Sequence, residues 1–440
     1  MRKHLIALNA ASALLAWATT GDAAAAGFQL MEQNASGLGN AYAGSAANPE
    51  NASIIYFNPA GMTYLQGGNL SAGVNAIRPS FKFRDNGNSR NPGAPGAPGT
   101  SLNGSVPTGG NGGDAGSLGV VPNAYFSWQL AERWWVGVGM GAPFGLMTEY
   151  DDDWVGQYQS TKFDIRTINI NPSVAYKVSD QLSLGVGVNW QRIDAEYRKK
   201  LVVPTPMAGV FTNGDGRLKL HGDAWGWNAG IMFQPTEATR IGVSYRSKIR
   251  HTAKGNTDVD NIALGGGATT ATSYAAEASV ALPDTLTFSM SHQLNPRWEL
   301  LGDVSWTGWS SLQTLDIYNR GGPSQSVPLE FRDTWRIALG ANYQFAAQWK
   351  WKFGVAYDQS PVHRSSDRLT ALPDTDRWWF STGIQYQATK NITVDLGYTY
   401  LYLRDTDIDT TAGDSLTQGR VAGSYDSKGN IVGLQVSASF

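Results

Sequence analysis

Apolar side chains recur at every second position over stretches of ten residues or more, and this period constrains the chain more than any other feature. Leu182, Leu184, Val186, Val188 and Trp190 alternate with Ser183, Gly185, Gly187 and Asn189. Trp225, Trp227, Ala229, Ile231 and Phe233 alternate with Gly226, Asn228, Gly230 and Met232, and the period returns in 335–343 and 392–400. A period of two sends successive side chains to opposite faces of a sheet. Soluble sandwiches alternate as well, but their strands usually run about five or six residues. Here the segments are longer, and aromatics (Trp134, Trp135, Trp306, Trp349, Trp351, Trp378, Trp379) recur near their ends. The face opposite the apolar one carries glycine and small polar residues. These features together predict an all-β transmembrane antiparallel barrel with a polar lumen.

Roughly fourteen such segments occur, an even number as bacterial single-chain barrels require. Their centres lie near Val74, Tyr125, Val138, Val174, Val186, Ala229, Val243, Phe288, Val304, Leu339, Val355, Ile384, Leu396 and Val436. Short turns such as 178–181 and 234–237 alternate with longer connections. The longest, from about Arg84 to Ser117, is rich in Gly, Pro, Asn and Ser and is expected to be mobile, because it has little apolar surface to bury. The terminal Phe440 on an alternating strand resembles the signal by which outer-membrane barrels are recognised for insertion.

The N-terminus reads as an export signal. Arg2 and Lys3 precede an apolar stretch from Leu5 to Ala18, and Ala23-Ala24-Ala25 supplies a small-residue cleavage pattern. We expect residues 1–25 to be removed. An uncleaved anchor is the alternative, but the stretch is short of the ~20 residues a spanning helix needs. Residues 26–67 are too apolar for a tail in water and too irregular for a wall strand, so they are expected to fold inside the barrel as a plug, with 68–440 as the wall. A periplasmic extension is the other possibility.

Composition closes off several chemistries. Only 16% of residues are charged and the net charge is −2, which gives no support for nucleic-acid binding. The absence of cysteine removes thiolate metal sites, disulfides and thiol nucleophiles. Asp151-Asp152-Asp153 and Asp405, Asp407 and Asp409 carry ligands of the kind calcium takes, yet such runs are more often solvated loops. His221, His251, His292 and His363 lack ligand spacing, so neither a metal site nor a cofactor is expected. His292 beside Ser289 and Ser291 is the one local candidate for hydrolase chemistry; no catalytic residue is assigned.

A resemblance then sharpens the reading. Ala26-Gly27-Phe28-Gln29-Leu30, Ser36-Gly37-Leu38-Gly39, Ala41-Tyr42-Ala43-Gly44 and Asn58-Pro59-Ala60 resemble the mature start and hatch of the outer-membrane long-chain fatty acid and aromatic hydrocarbon transporters of the FadL family. The likeness continues through 144–150, 225–230, Tyr245-Arg246-Ser247, Leu282-Pro283-Asp284, 331–340, Ser360-Pro361-Val362 and 373–377, nearly the whole mature chain in one order. It implies a monomeric fourteen-stranded barrel closed by a hatch, taking up hydrophobic molecules passively. It also implies an inward kink in the third strand that opens the wall, and the matching stretch is Pro143-Phe144-Gly145. The residues agree, since Pro143 removes a ladder donor and Gly145 tolerates unusual dihedrals.

Phe28, Leu30, Ile54, Ile55, Phe57 and Met62 are expected to line the pocket or gate it, with Asn58-Pro59-Ala60 fixing a turn. Where the family holds a carboxylate with basic residues, rough matching places Asp194 and Asp316, with Arg192, Lys199 and Arg320 as neighbours. That arrangement would favour a neutral head. The expected partners are a hydrophobic small molecule and the outer-membrane lipid with its lipopolysaccharide. A surface adhesin or phage receptor, and less readily a barrel hydrolase, are the competing functions.

Overall fold

A computed structural model describes residues 27–93, 109–204, 211–265, 268–410 and 417–440. The expected signal, 1–25, and the middle of the long loop, 94–108, lie outside the described residues.

The strands are β1 (Gly68–Asp85), β2 (Gly119–Ala131), β3 (Trp134–Gly141) continued by β4 (Gly145–Glu149), β5 (Lys162–Lys177), β6 (Leu182–Pro204) and β7 (Phe211–Thr236). Next come β8 (Thr239–Arg246) continued by β9 (Ile249–Gly265), β10 (Ala268–Leu282) continued by β11 (Thr285–Asn295), and β12 (Trp298–Thr307) continued by β13 (Thr314–Asn319). The last are β14 (Gln325–Pro328) continued by β15 (Thr334–Ala346), β16 (Trp349–Asp358), β17 (Arg377–Thr389), β18 (Ile392–Leu403) continued by β19 (Thr406–Asp409), and β20 (Ala422–Ser439). Six long strands are interrupted, one of them at Pro283, so these segments make fourteen antiparallel staves. Each expected centre falls on its own stave. The barrel closes where β1 pairs with β20, from Asn69↔Ser439 to Asp85↔Gly423. Closure pairs the first stave with the last, so neither end of the sheet is left as an edge to lipid.

Cross-strand aromatic pairs mark the two membrane boundaries. Near the short turns, Trp134 lies opposite Tyr176, Trp298 opposite Tyr343 and Trp349 opposite Tyr386, with ring centroids 4.6, 4.5 and 4.4 Å apart. At the other level Trp190 faces Trp225, Trp306 faces Trp335 and Tyr357 faces Trp378. Eight residues separate Trp298 from Trp306, which is about 26 Å along a strand. At a tilt of roughly 40° that is about 20 Å of height, close to the ~25 Å apolar band of such barrels.

Residues 27–65 are almost wholly buried and pack against inward-facing glycines of the wall. A Cβ at Gly230 would stand 2.0 Å from Asn58 Oδ1, at Gly185 2.3 Å from the Ala60 nitrogen, at Gly242 1.9 Å from the Ala46 carbonyl and at Gly354 2.2 Å from the Asn40 carbonyl. Only a residue without a side chain allows backbone to approach backbone this closely. Buried ion pairs add to the contact: Lys352 Nζ lies 2.6 Å from Glu50 and 3.0 Å from Asp395, and Lys350 Nζ lies 2.9 Å from Glu50.

The described flanks of the long loop differ from the mobile stretch expected. Ala115 is buried and donates to the Phe81 carbonyl at 3.0 Å, and Asp114 accepts the Phe81 amide at 2.9 Å. Backbone pairing to the extended β1 orders these residues despite their small apolar surface.

Candidate ligand cavity and wall opening

The alternation that makes the wall inverts above the membrane, and the inversion builds a cavity. Along β6, Gly185, Gly187, Asn189, Gln191, Ile193, Ala195 and Tyr197 face inward, while Leu184, Val186, Val188, Trp190, Arg192 and Asp194 face outward. The lumen is therefore layered: glycine against residues 58–60, then amides, then apolar residues. Asn169, Asn171, Asn189 and Asn228 form the amide layer, with Asn171 and Asn189 donating to Asn228 Oδ1 at 2.9 and 3.0 Å. Above it lies a cavity of about 150 Å³ lined by Phe163 and Ile165 of β5, Ile193 of β6, Leu220 of β7, Ile317 of β13 and Val327 of β14, with Phe28 from the N-terminal segment. A dry apolar space of about this size can hold one small arene.

Phe28 belongs to an aromatic cluster. Its ring centroid lies 4.9 Å from Trp309, edge-on, and 5.9 Å from Phe144, while Trp309 lies 5.8 Å from Phe331. The start of the segment is tied down by Asp374, whose Oδ2 accepts the Gly27 amide at 2.8 Å.

The strand break falls at Ala142–Phe144, around Pro143, which has no amide hydrogen to give the ladder. β3 pairs with β2 as far as Met140↔Ala124, and β4 pairs with β5 alone among the named strands. Gly119–Asn123 of β2 therefore bonds to β1 on one side and, among the described residues, to no strand on the other. Pro122, which has no amide hydrogen, stands in that stretch, as an edge tolerates.

The interrupted backbone is satisfied from inside. Leu30 donates to the Pro143 carbonyl and Gly145 donates to the Phe28 carbonyl, each at 2.8 Å, so residues 28–30 act as a short added strand. Phe144 donates to Thr167 Oγ1 at 2.9 Å, and Gln33 Nε2 donates to the Ala142 carbonyl at 2.8 Å.

Of the six apolar residues expected at the pocket, Phe28 alone lines the cavity. Leu30 packs below Gly145, with Cδ1 3.1 Å from where a Cβ would be. Ile54, Ile55 and Met62 pack with Tyr125, Trp135 and Ala175 at the glycine-lined level, and Phe57 stacks on Tyr42 at 6.0 Å. Asn58-Pro59-Ala60 forms the expected turn: Asn58 Oδ1 accepts from Ala60 at 3.1 Å and Nδ2 donates to the Ala46 and Ile231 carbonyls.

The four polar head residues do not meet the cavity. Arg192 and Asp194 share the outward parity of Val186 and Val188 and pair with each other at 3.0 Å. Asp316 lies between two lining residues, Leu315 and Ile317, so it faces away and accepts from Ser326 at 2.5 Å. Arg320 is exposed, its amide donating to the Ala275 carbonyl. The inward cation that sequence reasoning passed over as a mere neighbour is Lys199, whose Nζ lies 3.4 Å from Gln325 Oε1 and 5.9 Å from the centroid of Tyr197; both partners line the cavity.

No hydrolytic pair forms at the serines near His292. Ser291 donates to Glu299 at 2.7 Å, Ser289 accepts the Ala46 amide, and His292 Nδ1 is engaged by Thr239 at 2.9 Å.

Residues 16–440 match the family described as outer membrane protein transport protein (OMPP1/FadL/TodX). The chain belongs to this family. Among FadL-type relatives, it is 33% identical over 476 residues to Outer membrane protein P1 of Haemophilus influenzae, covering 100% of both chains. It is 30% identical to the long-chain fatty acid transport protein of Escherichia coli K12, over 91% of this chain and 93% of that one. The crystal structure of a Pseudomonas aeruginosa FadL homologue matches with a TM-score of 0.84 at 27% identity, covering 94% of this chain and 100% of that one. The protein is thus an outer-membrane transporter of the FadL family and not an enzyme.

Proposed function

We propose that the protein gives hydrophobic molecules a passive route across the outer membrane, with the N-terminal segment as a hatch and the break at Pro143-Phe144-Gly145 as a lateral exit. The observation that carries this reading is the double engagement of residues 28–30. Phe28 lines the cavity, and its carbonyl is bonded to Gly145 at the open wall. Displacing this tripeptide would join cavity and gap in one step. The amide layer below offers an apolar molecule no comparable path, because entering it strips hydration from side chains without replacing it. Movement needs no energy coupling or cofactor, and a single barrel contains every part.

The ligand class is a long apolar chain with a carboxylate, seated with its head toward Lys199 and only the adjoining part of its tail, no bulkier than a small arene, among Ile193, Leu220 and Ile317. The relative named as a long-chain fatty acid transport protein supports this choice over a neutral hydrocarbon. So does the loss of the opposing argument, since Asp194 and Asp316 do not reach the cavity.

The route is tested by locking the hatch. Gln29 and Phe144 form an isolated antiparallel bridge flanked by the bonds from Leu30 and Gly145. Such a non-hydrogen-bonded pair brings Cα atoms to about 4.5 Å, within disulfide range. In a chain without cysteine, Gln29→Cys with Phe144→Cys should stop uptake when oxidised and restore it on reduction. Uptake that continues with the disulfide formed would refute the route.

A further inference from the structure

We propose that the outer wall carries a phosphate-binding site for the sugar core of lipopolysaccharide, centred on Lys162, Arg198 and Arg217. This deepens the lipid-partner reading and rests on the outer-membrane location, not on the transport route.

The site follows from register. Lys162 lies directly opposite Arg198 across β5 and β6, and Arg198 lies directly opposite Arg217 across β6 and β7. Side chains so placed are about 5 Å apart, and like charges directly opposite one another destabilise a sheet. Three cations thus stand in one row on the outward face, with Lys219 one step below. The nearby acids compensate them only in part: Glu149, Glu196 and Asp258 meet four cations, and Glu196 Oε1 bridges Arg198 and Arg217. Glu196 sits beneath the row, 2.5 Å from Arg198, 3.0 Å from Arg217 and 3.9 Å from Lys219. Glu149 takes Lys162 at 3.3 Å, and Asp258 closes the far end opposite Arg217, its carboxylate accepting from Ser273. A phosphate seated on the free outer donors of the guanidinium groups would supply the negative charge that the three carboxylates leave uncompensated, because arginine presents paired donors matched to phosphate oxygens.

Height selects the source of that phosphate. Arg198 lies eight residues beyond Trp190 of the outer aromatic level, about 26 Å along the strand and about 20 Å above it at a tilt of roughly 40°. Glycerophospholipid headgroups end lower. A phosphorylated sugar core reaches the row.

Purified full-length protein in detergent should retain rough lipopolysaccharide in native mass spectrometry, and should bind its dephosphorylated form much more weakly. Replacing Lys162, Arg198 and Arg217 together by Gln should weaken binding by about tenfold for each arginine lost. Arg198→Lys with Arg217→Lys should recover part of it. Arg217→Gln alone, checked for heat-modifiable migration, should already show a loss. Fatty acid binding in each variant should remain, so failure here is distinguishable from failure of the transport reading. Equal retention of the dephosphorylated form, undiminished binding by folded Arg217→Gln, or binding of inorganic phosphate without binding of the glycolipid would overturn the site.

Discussion

Gly145 donates its amide to the Phe28 carbonyl at 2.8 Å, so a residue of the wall break is bonded to a residue that lines the cavity. Replacing Pro143 and Gly145 by Val should act on both. A side chain at residue 145 would meet Leu30 Cδ1 at 3.1 Å, and a donor at residue 143 would invite pairing across the gap. Uptake should fall strongly while surface level and ligand binding change little. Normal uptake would favour a path down to the periplasm.

Thr167 holds the kink from the neighbouring stave, accepting from the Phe144 amide at 2.9 Å and donating to its carbonyl at 2.7 Å. Thr167→Val leaves the buried amide without a partner, a loss of about 1–3 kcal/mol. Thermal unfolding should come earlier, and hydrogen exchange at Phe144 should quicken while that at Val186 does not.

Gly230 makes room for Asn58. Gly230→Val would drive a side chain into Asn58 Oδ1 and should unseat residues 58–60. The barrel should still insert, but planar bilayers should show raised ion conductance. Unchanged conductance would mean that residues 26–67 do not block the lumen.

The seating of residues 27–65 is expected to depend on pH through Glu32. Burial pushes its carboxyl from the ordinary 4.5 up to about 7; a backbone hydrogen bond and the charges of Arg377 and Arg336 oppose the rise, and Asp358 adds to it. The seated state therefore holds the proton more tightly than a hydrated one. Seating is favoured fully below about 4.5 and the advantage is lost as pH rises through about 7, a swing of up to about 3 kcal/mol. Conductance should rise from pH 5 to pH 8, and Glu32→Gln should flatten that slope. A wild-type slope of opposite sign would rule this out.

Lys199 should distinguish ligand heads. Lys199→Met should weaken binding of a fatty acid by about tenfold, the scale of one hydrogen bond to a charged group, and leave an alkane of equal length unaffected. Equal losses for both would place the head elsewhere.

The fold was legible because its signal is local. Alternation located all fourteen staves, and the family resemblance, with which Pro143 agrees, pointed to the break. The cavity was harder, since Ile193, Leu220 and Ile317 lie far apart in sequence and meet only after closure. The error at Arg192 and Asp194 had a local remedy. Counting by twos from Leu184 through Val186, Val188 and Trp190 puts both on the outer face, and family matching overrode that count. The glycines were visible, but nothing local separates a glycine that residues 27–65 pack against from one that merely faces a lumen. The long loop misled because backbone pairing, not apolar burial, orders its flanks.

The seam between β1 and β20 also sets a sequence in time. Gly68 and Phe440 exchange backbone hydrogen bonds at 2.8 and 2.9 Å, and residues 27–65 come just before that junction. The first stave cannot meet its partner until β20 has been delivered, so circularisation is a late event of very long contact range. Residues 27–65 precede the first stave, and the closed wall surrounds them in the finished molecule. Biogenesis therefore ends in an act of enclosure, the ring sealing around a segment that was delivered before it.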